Sequence, residues 1–349
     1  MDYSKIVAPL LEWYAQNARV LPWRDNPTPY RVWISEIMLQ QTRVEAVKPY
    51  FERFLRELPD IRSLAEVPEE QLLKLWEGLG YYSRARSLKK SAGIILNEYG
   101  GSLPKSVEEL KKLPGIGEYT AGAVASIAYG LPEPAVDGNV LRVAARLTAS
   151  HRDIGDPAVK KELHNTLKRI YPNENAGAFT QSLMELGATV CLPNGEPLCE
   201  QCPLAELCEA RRKGEASALP VKAPKAERKK EDRTVFLLLC GERVAVRRRP
   251  ESGLLARLWE FPGTGGKLTP EQAETLLREW KLSVEKMEPL PKAKHIFSHI
   301  EWHMTGYLAR SANMPEDFVW VEIPELFRDY AVPSAFKAYL KFLKQLANL

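Results

Sequence analysis

The 349-residue sequence predicts two folded parts of different class, an all-helical part over residues 1–213 and an α+β part over residues 234–349. Three observations carry this reading. Up to about residue 213 the apolar residues recur three and four apart, the period of one helix face. Residues 214–233 then lose nearly all large apolar side chains in favour of Ala, Pro, Lys, Arg and Glu, the composition of an extended linker. Beyond them, Thr234-Val235-Phe236-Leu237-Leu238-Leu239-Cys240 and Arg243-Val244-Ala245-Val246-Arg247 read as strands joined by a short Gly241-Glu242 turn.

In chain order, an amphipathic pattern opens at once with Ile6, Val7, Leu10, Leu11, Trp13 and Tyr14, which predicts no secretory or transit leader and a cytoplasmic, bacterial-type protein. Helical periodicity marks 32–41, 44–55, 68–76, 84–99, 121–129, 140–148 and 176–190, with turn residues between. In the C-terminal part a helix is expected over 270–280, strands over 300–308 and 318–322, and a last helix over 334–346. With 45% hydrophobic and 27% charged residues the composition is that of an ordinary soluble globular protein. No apolar run approaches the roughly 18 residues a membrane span needs. The net charge of +4 permits local basic surface without demanding a nucleic-acid partner.

The residues that carry chemistry begin with Leu113-Pro114-Gly115-Ile116-Gly117, a glycine-rich turn between two helical patterns. Gly115 and Gly117 let a phosphate approach bare backbone, and the helix opening at Thr120-Ala121-Gly122-Ala123 aims its first amides and its dipole there. Read alone, the stretch suits a plain helix–helix turn equally well. Twenty residues on, Val136-Asp137-Gly138-Asn139 puts a carboxylate at the N-cap of the next helix, where amides and dipole are expected to keep it ionised. Glu36 has helical neighbours Val32, Trp33, Leu39 and Gln40, mostly apolar, so desolvation is expected to raise its pKa until it keeps a proton near neutrality. Two acids held apart in pKa supply one proton donor and one stabilising anion. An aspartate before a helix is commonplace; a glutamate buried without a partner is costly, and Glu36 is the more telling of the two.

Cys191, Cys199, Cys202 and Cys208 fall within eighteen residues, and Cys240 stands apart in an apolar strand pattern that reads as core. Four thiols this close, in a chain read as cytoplasmic, point to a metal site more than to disulfides. All-cysteine ligation fits a structural zinc or a [4Fe–4S] cluster, and spacing alone leaves both open.

Over residues 19–208 the chain resembles the adenine DNA glycosylases of the helix-hairpin-helix superfamily. The motifs are Leu21-Pro22-Trp23-Arg24, residues 33–42, Trp76-Glu77-Gly78-Leu79-Gly80-Tyr81-Tyr82-Ser83-Arg84-Ala85-Arg86, residues 113–122 and residues 135–142, in the family's order. The resemblance implies an all-α helix-hairpin-helix glycosylase domain with an iron–sulfur cluster loop, followed by an α+β Nudix-like domain. It implies removal of adenine mispaired with 8-oxoguanine or guanine in double-stranded DNA, by a monomer, in base excision repair. It also implies a [4Fe–4S] cluster on Cys191, Cys199, Cys202 and Cys208. The family usually has six residues between its first two cluster cysteines, whereas seven separate Cys191 from Cys199; the turn-rich 192–198 segment can absorb one more.

Residue by residue, the resemblance makes Glu36 the acid that protonates adenine N7. Asp137 balances the cationic sugar, by charge or transient covalent attachment, with Tyr119 and Asn139 as its partners. Arg24 and Gln181 support the adenine pocket. Gln41, Thr42, Leu79 and Tyr81 occupy the space left by the extruded base and contact the lesion strand, roles that suit an amide, a hydroxyl, an aliphatic wedge and a stacking ring. Related endonuclease III enzymes have a lysine two residues after the last hairpin glycine, where Tyr119 stands here; without that amine no Schiff base forms, which predicts a monofunctional enzyme leaving an abasic site. In the C-terminal part residues 265–280 resemble a Nudix box, but Trp280-Lys281-Leu282 replaces the paired acids, so magnesium-dependent pyrophosphate hydrolysis is not expected. Phe297-Ser298-His299 matches the family's 8-oxoguanine loop, with His295 and Trp302 nearby. Two other readings are a bifunctional pyrimidine-lesion glycosylase, opposed by Tyr119 and the lesion-reading domain, and a non-catalytic lesion binder, opposed by Glu36 in its apolar setting.

Overall fold

The computed structural model describes residues 2–224 and 227–347. They form two compact units: the described residues of Met1–Val67 with Ser87–Pro224, and those of Pro68–Arg86 with Lys225–Leu349.

The first unit is helical throughout. Its helix Pro29–Leu39 starts by the rules: the Thr28 hydroxyl accepts the Arg31 amide and Pro29 occupies the first helical position. Eight of its residues, from Tyr30 to Met38, are buried on every side, the pattern of a central core helix. It stops at Leu39, two residues before the periodicity predicts, because Gln41 turns into the left-handed region at φ 61°. Gln41 and Thr42 therefore sit on a turn. The helices Gly138–Leu147 and Ala176–Thr189 share a core with Ile6 and Leu10 of the N-terminal segment, built on Val140, Val143, Leu147, Phe179, Leu183 and Leu186. Burial of each such side chain contributes about 1.5–3 kcal/mol. Among the described residues no helix is long and apolar enough to cross a membrane.

In the second unit a mixed sheet of seven strands lies between helices. The strands are β1 (Lys229–Cys240), β2 (Arg243–Arg248), β3 (Trp259–Glu260), β4 (Gly263–Gly265), β5 (Val284–Ile296), β6 (Ile300–Ser311) and β7 (Val319–Glu322). The sheet order is β3-β2-β1-β6-β5, with β4 paired to β1 and β7 to β2. The predicted hairpin is present: Cys240 pairs with Arg243 across Gly241 and Glu242. Alternation along β1 sorts its side chains to two cores. Val235, Leu237 and Leu239 pack with Phe336, Tyr339 and Leu343 of the C-terminal helical segment, while Phe236 and Leu238 pack with Ala273 and Leu277 of helix Pro270–Glu279. Trp280 packs edge-on against Phe236 and Phe318, a core role where a Nudix enzyme has acids. β1 begins inside the 214–233 stretch because its polar start pairs through the backbone with β6, Lys229 opposite Ile300, and Arg233 lies over the Trp302 ring of β6 at 4.3 Å.

Residues 68–86 fold onto this sheet unit through polar contacts. Glu77 accepts the Val332 amide at 2.9 Å, Lys74 donates to the Tyr330 carbonyl at 3.0 Å, and Arg86 donates to the Ala256 carbonyl at 3.0 Å.

Candidate active site

One cavity of about 540 Å³ opens in the helical unit, and Arg24, Glu36, Gln41, Thr42, Tyr119, Asp137, Asn139 and Gln181 all line it. Eight of the residues singled out from sequence therefore meet around one space. Glu36 is 6% exposed and accepts the Tyr119 hydroxyl in a very short hydrogen bond. Burial raises its pKa to about 7; the Tyr119 bond and Arg24 oppose the rise, and the charge of Asp137 adds to it. Burial, and then the charge of Glu36, push the Tyr119 phenol well above its ordinary range, so it stays a donor.

Asp137 caps helix Gly138–Leu147 as predicted. Its Oδ1 accepts the Val140 amide at 2.8 Å and its Oδ2 accepts Asn139 Nδ2 at 2.7 Å. The electrostatic expectation needs correcting: burial raises its pKa and outweighs the bonds from Val140 and Asn139, which lower it. Both acids are thus shifted upward. Asp137 still receives two donors, from Val140 and Asn139, where Glu36 receives the Tyr119 hydroxyl.

Close helix packing creates this burial. A Cβ on Gly187 would come within 2.6 Å of Asn139 Cβ, so only glycine lets helix Ala176–Thr189 cross the Asp137–Asn139 turn this tightly. At the other side, Gly115 (φ 80°) lies against helix residue Ser87, whose Cβ a side chain would meet at 2.7 Å. Gly117 caps helix Glu118–Ala123 and faces open space. Both hairpin glycines lie outside the cavity lining, one turn from Tyr119.

Three groups escaped the sequence reading. Glu185, 1% exposed, binds Arg19 Nε at 2.6 Å and Arg24 Nη2 at 2.8 Å. Burial alone would raise its pKa, but the bonds from Arg19 and Arg24 prevail and lower it. Arg24 also donates to Gln181 Oε1 at 3.0 Å, so Glu185 fixes the two side chains read as adenine-pocket supports. Its signal was visible: like Glu36, it is a carboxylate inside an apolar helical run. The other two are Arg142 and Arg146. Arg142 Nη2 donates to Asn139 Oδ1 at 2.9 Å and to the Gly187 carbonyl at 2.6 Å, while its Nε donates to the Cys191 carbonyl at 2.8 Å. Arg146 Nη1 donates to Cys191 Sγ at 3.2 Å.

Cys191, Cys199, Cys202 and Cys208 line a second, small cavity together with Arg146 and Arg211. The extra residue between the first two is absorbed in a loop that folds back, the Leu198 amide donating to the Val190 carbonyl at 2.9 Å. Burial pushes the Cys199 and Cys208 thiols up and Cys202 up to about 12. Among the described residues no three His, Cys, Asp or Glu side chains gather closely enough to hold a single metal ion. The four thiols are spread around a space instead.

Leu79, Tyr81, Phe297, Ser298 and His299 belong to the sheet unit. Leu79 is buried and Tyr81 exposed. Phe297, Ser298 and His299 form the turn between β5 and β6, closed by the Phe297 amide on the Ile300 carbonyl at 2.8 Å. Phe297 packs on His295 and Trp302, with ring centroids 4.5 and 4.9 Å away. Ser298 Oγ lies 2.6 Å from the Tyr81 hydroxyl.

Two family models match the chain: HhH-GPD superfamily base excision DNA repair protein over residues 34–169, and NUDIX domain over residues 234–342. Among solved structures, a thermostable thymine-DNA glycosylase superposes with TM-score 0.54 at 29% identity, covering 60% of this chain and 97% of that one. A non-covalent endonuclease III–DNA complex gives 0.52 at 28%, covering 61% and 99%. Helical fold, hairpin and paired carboxylates together define a helix-hairpin-helix DNA glycosylase with a Nudix-like C-terminal domain. Curated relatives narrow this further. Adenine DNA glycosylase of Mus musculus is 35% identical, covering 96% of this chain and 77% of the relative. That of Homo sapiens is 36% identical, covering 94% and 72%, and that of Buchnera aphidicola subsp. Acyrthosiphon pisum (strain APS) is 36% identical, covering 90% and 89%. The chain belongs to the adenine DNA glycosylase family and is a base excision repair enzyme.

Proposed function

We propose that this enzyme excises adenine opposite 8-oxoguanine, or opposite guanine, from double-stranded DNA and leaves an abasic site without cutting the strand. The observation that carries the reading is the pairing of Glu36, protonated near neutrality, with Asp137 around one cavity. Adenine extruded from the duplex enters that cavity; extrusion costs about a few kcal/mol, less at a mispair. Glu36 donates its proton to N7, which makes adenine a neutral leaving group. Ionised Asp137, oriented by Asn139, balances the oxocarbenium-like sugar. Tyr119, expected as a partner of Asp137, instead donates its hydroxyl to Glu36 and holds that carboxyl in place, and its phenol cannot form the imine that a lysine there would. Arg24 and Gln181, fixed by Glu185, support the base, while Gln41, Thr42, Leu79 and Tyr81 serve the vacated stack and Gly115 and Gly117 the phosphate. The enzyme works in the cytoplasm at the nucleoid, as a monomer.

The four cysteines fit a [4Fe–4S] cluster better than zinc. A single zinc needs its sulfurs about 2.3 Å from one point, whereas these ring a space lined by two arginines that suit an anionic cluster. Cys191, Cys199, Cys202 and Cys208 would hold the cluster, which would tie together the loop beyond Val190.

Incubation with end-labelled duplex carrying A opposite 8-oxoguanine tests the whole reading. Cleavage is expected only after alkali; cutting without alkali would sink monofunctionality, and no alkali-labile product would sink the activity. For lesion reading, a Ser hydroxyl and a His can supply hydrogen bonds that separate 8-oxoguanine from guanine. Ser298→Ala with His299→Ala is expected to reduce the preference for A·8-oxoguanine over A·G about ten-fold or more, since each lost hydrogen bond to a base edge costs about 1 kcal/mol. Relative rates equal to wild type would remove these residues from lesion recognition.

A further inference from the structure

The turn at residues 78–81 is strained. Gly78 and Gly80 have φ 103° and 70°, and Tyr81, which has a side chain, is also left-handed at φ 46°. Its ring is half exposed, at 50%. Such a conformation persists only where surrounding groups over-determine it. Several of those groups are identifiable here, the Ser298 hydroxyl 2.6 Å from the Tyr81 hydroxyl among them. Arg84 Nη2 donates to the Leu79 carbonyl at 3.0 Å and to the Gly80 carbonyl at 3.1 Å. The Arg84 amide donates to the Tyr81 carbonyl at 2.9 Å. The Arg84 guanidinium also lies 5.6 Å from the Tyr81 ring centroid and 5.3 Å from that of Trp76, within cation–π range of both. Trp76, fully buried, donates its Nε1–H to the same Gly80 carbonyl at 3.1 Å. Burial pushes Arg84 down to about 10, so keeping a cation here has a cost that an apolar residue would avoid.

We propose that Arg84 is the positioning residue of the wedge: it locks the 78–81 turn through two backbone carbonyls and underlies the Tyr81 ring, holding Leu79 and Tyr81 ready before DNA arrives. The inference rests on the reading of Leu79 and Tyr81 as the residues that enter the duplex. A preset wedge spares the complex the entropy of ordering that loop on binding. Arginine suits the task because one planar group both bonds the carbonyls and stacks on rings; a lysine offers a point charge and no plane.

The test uses the full-length chain in a Glu36→Gln background, so that bound DNA stays uncut, with 2-aminopurine opposite 8-oxoguanine as a fluorescent reporter of extrusion. Arg84→Met is expected to lower the extrusion constant about ten-fold, and Arg84→Lys to recover part of it. Tyr81→Ala should lose at least as much. The double variant Tyr81→Ala with Arg84→Met should be no worse than Tyr81→Ala alone, because both act through one wedge. Wild-type extrusion by Arg84→Met, or losses that add in full, overturns the role of Arg84. Wild-type extrusion by Tyr81→Ala overturns the wedge reading itself. Losses in both Arg84 variants that follow only a fall in melting temperature would mark plain scaffolding and overturn positioning.

Discussion

Glu36→Gln is expected to lower single-turnover release of adenine by about 10³–10⁴-fold at pH 7, the upper part of the range for losing a general acid, while affinity for the lesion duplex changes little. Glutamine keeps the shape of Glu36 and still offers an oxygen to the Tyr119 hydroxyl, so the pocket is preserved. What disappears is the transferable proton. Turnover within ten-fold of wild type would show that adenine leaves without help from residue 36.

The same carboxyl ties activity and stability to pH. Because its pKa in the fold is raised from 4.5 to about 7, the wild-type rate should be flat below neutrality, until Asp137 begins to protonate, and should fall about ten-fold per unit well above pH 7. The sign for stability follows from linkage: a carboxyl with a raised folded pKa contributes stability that is full below about 4.5 and lost as pH rises through about 7. The loss is on the order of 3 kcal/mol. Glu36→Gln escapes it, so the variant should be the more stable protein in urea at pH 8 and nearly equal at pH 4. A constant difference across that range would mean that residue 36 titrates as an ordinary carboxylate. The enzyme accepts a destabilising buried acid, which fits a residue kept for chemistry.

How much of this was legible depends on where the cause lies. Helical period, the β1–β2 turn and the apolar surroundings of Glu36 are local, and the sequence alone discloses them. β5 is not legible in the sequence because Pro289 and Pro291 interrupt it and five charged residues break any apolar alternation; it is an edge strand with a bulge between Leu290 and Ala293, where proline is tolerated. The helix expected over 32–41 ends at Leu39, since only the left-handed Gln41 marks the stop and glutamine gives no such signal in the sequence. Asp137 was legible as a cap, but its raised pKa was not, because its burial comes from Gly187, half a hundred residues away, allowing a helix to close over it. Arg142 looked like one more helical arginine. Its link from Cys191 to Asn139 spans 49 residues on one side and 3 on the other, and only the fold brings these together.

Asp137→Asn is the companion test, expected to slow excision about 10²–10³-fold, the usual cost of removing one group that stabilises transition-state charge. Asparagine is as good an N-cap as aspartate, so it can still accept the Val140 amide and start helix Gly138–Leu147. Melting temperature should therefore stay near wild type, whereas Asp137→Ala should also lose about 1 kcal/mol of capping. The substitution isolates charge from scaffold. It also separates the two acids: Asp137→Asn removes a negative neighbour that helps raise Glu36, so the descending limb of the pH–rate profile should move to lower pH even as the rate drops. A variant that kept its rate, or whose limb moved upward, would show that Asp137 neither steadies the cationic sugar nor acts on Glu36 through its charge.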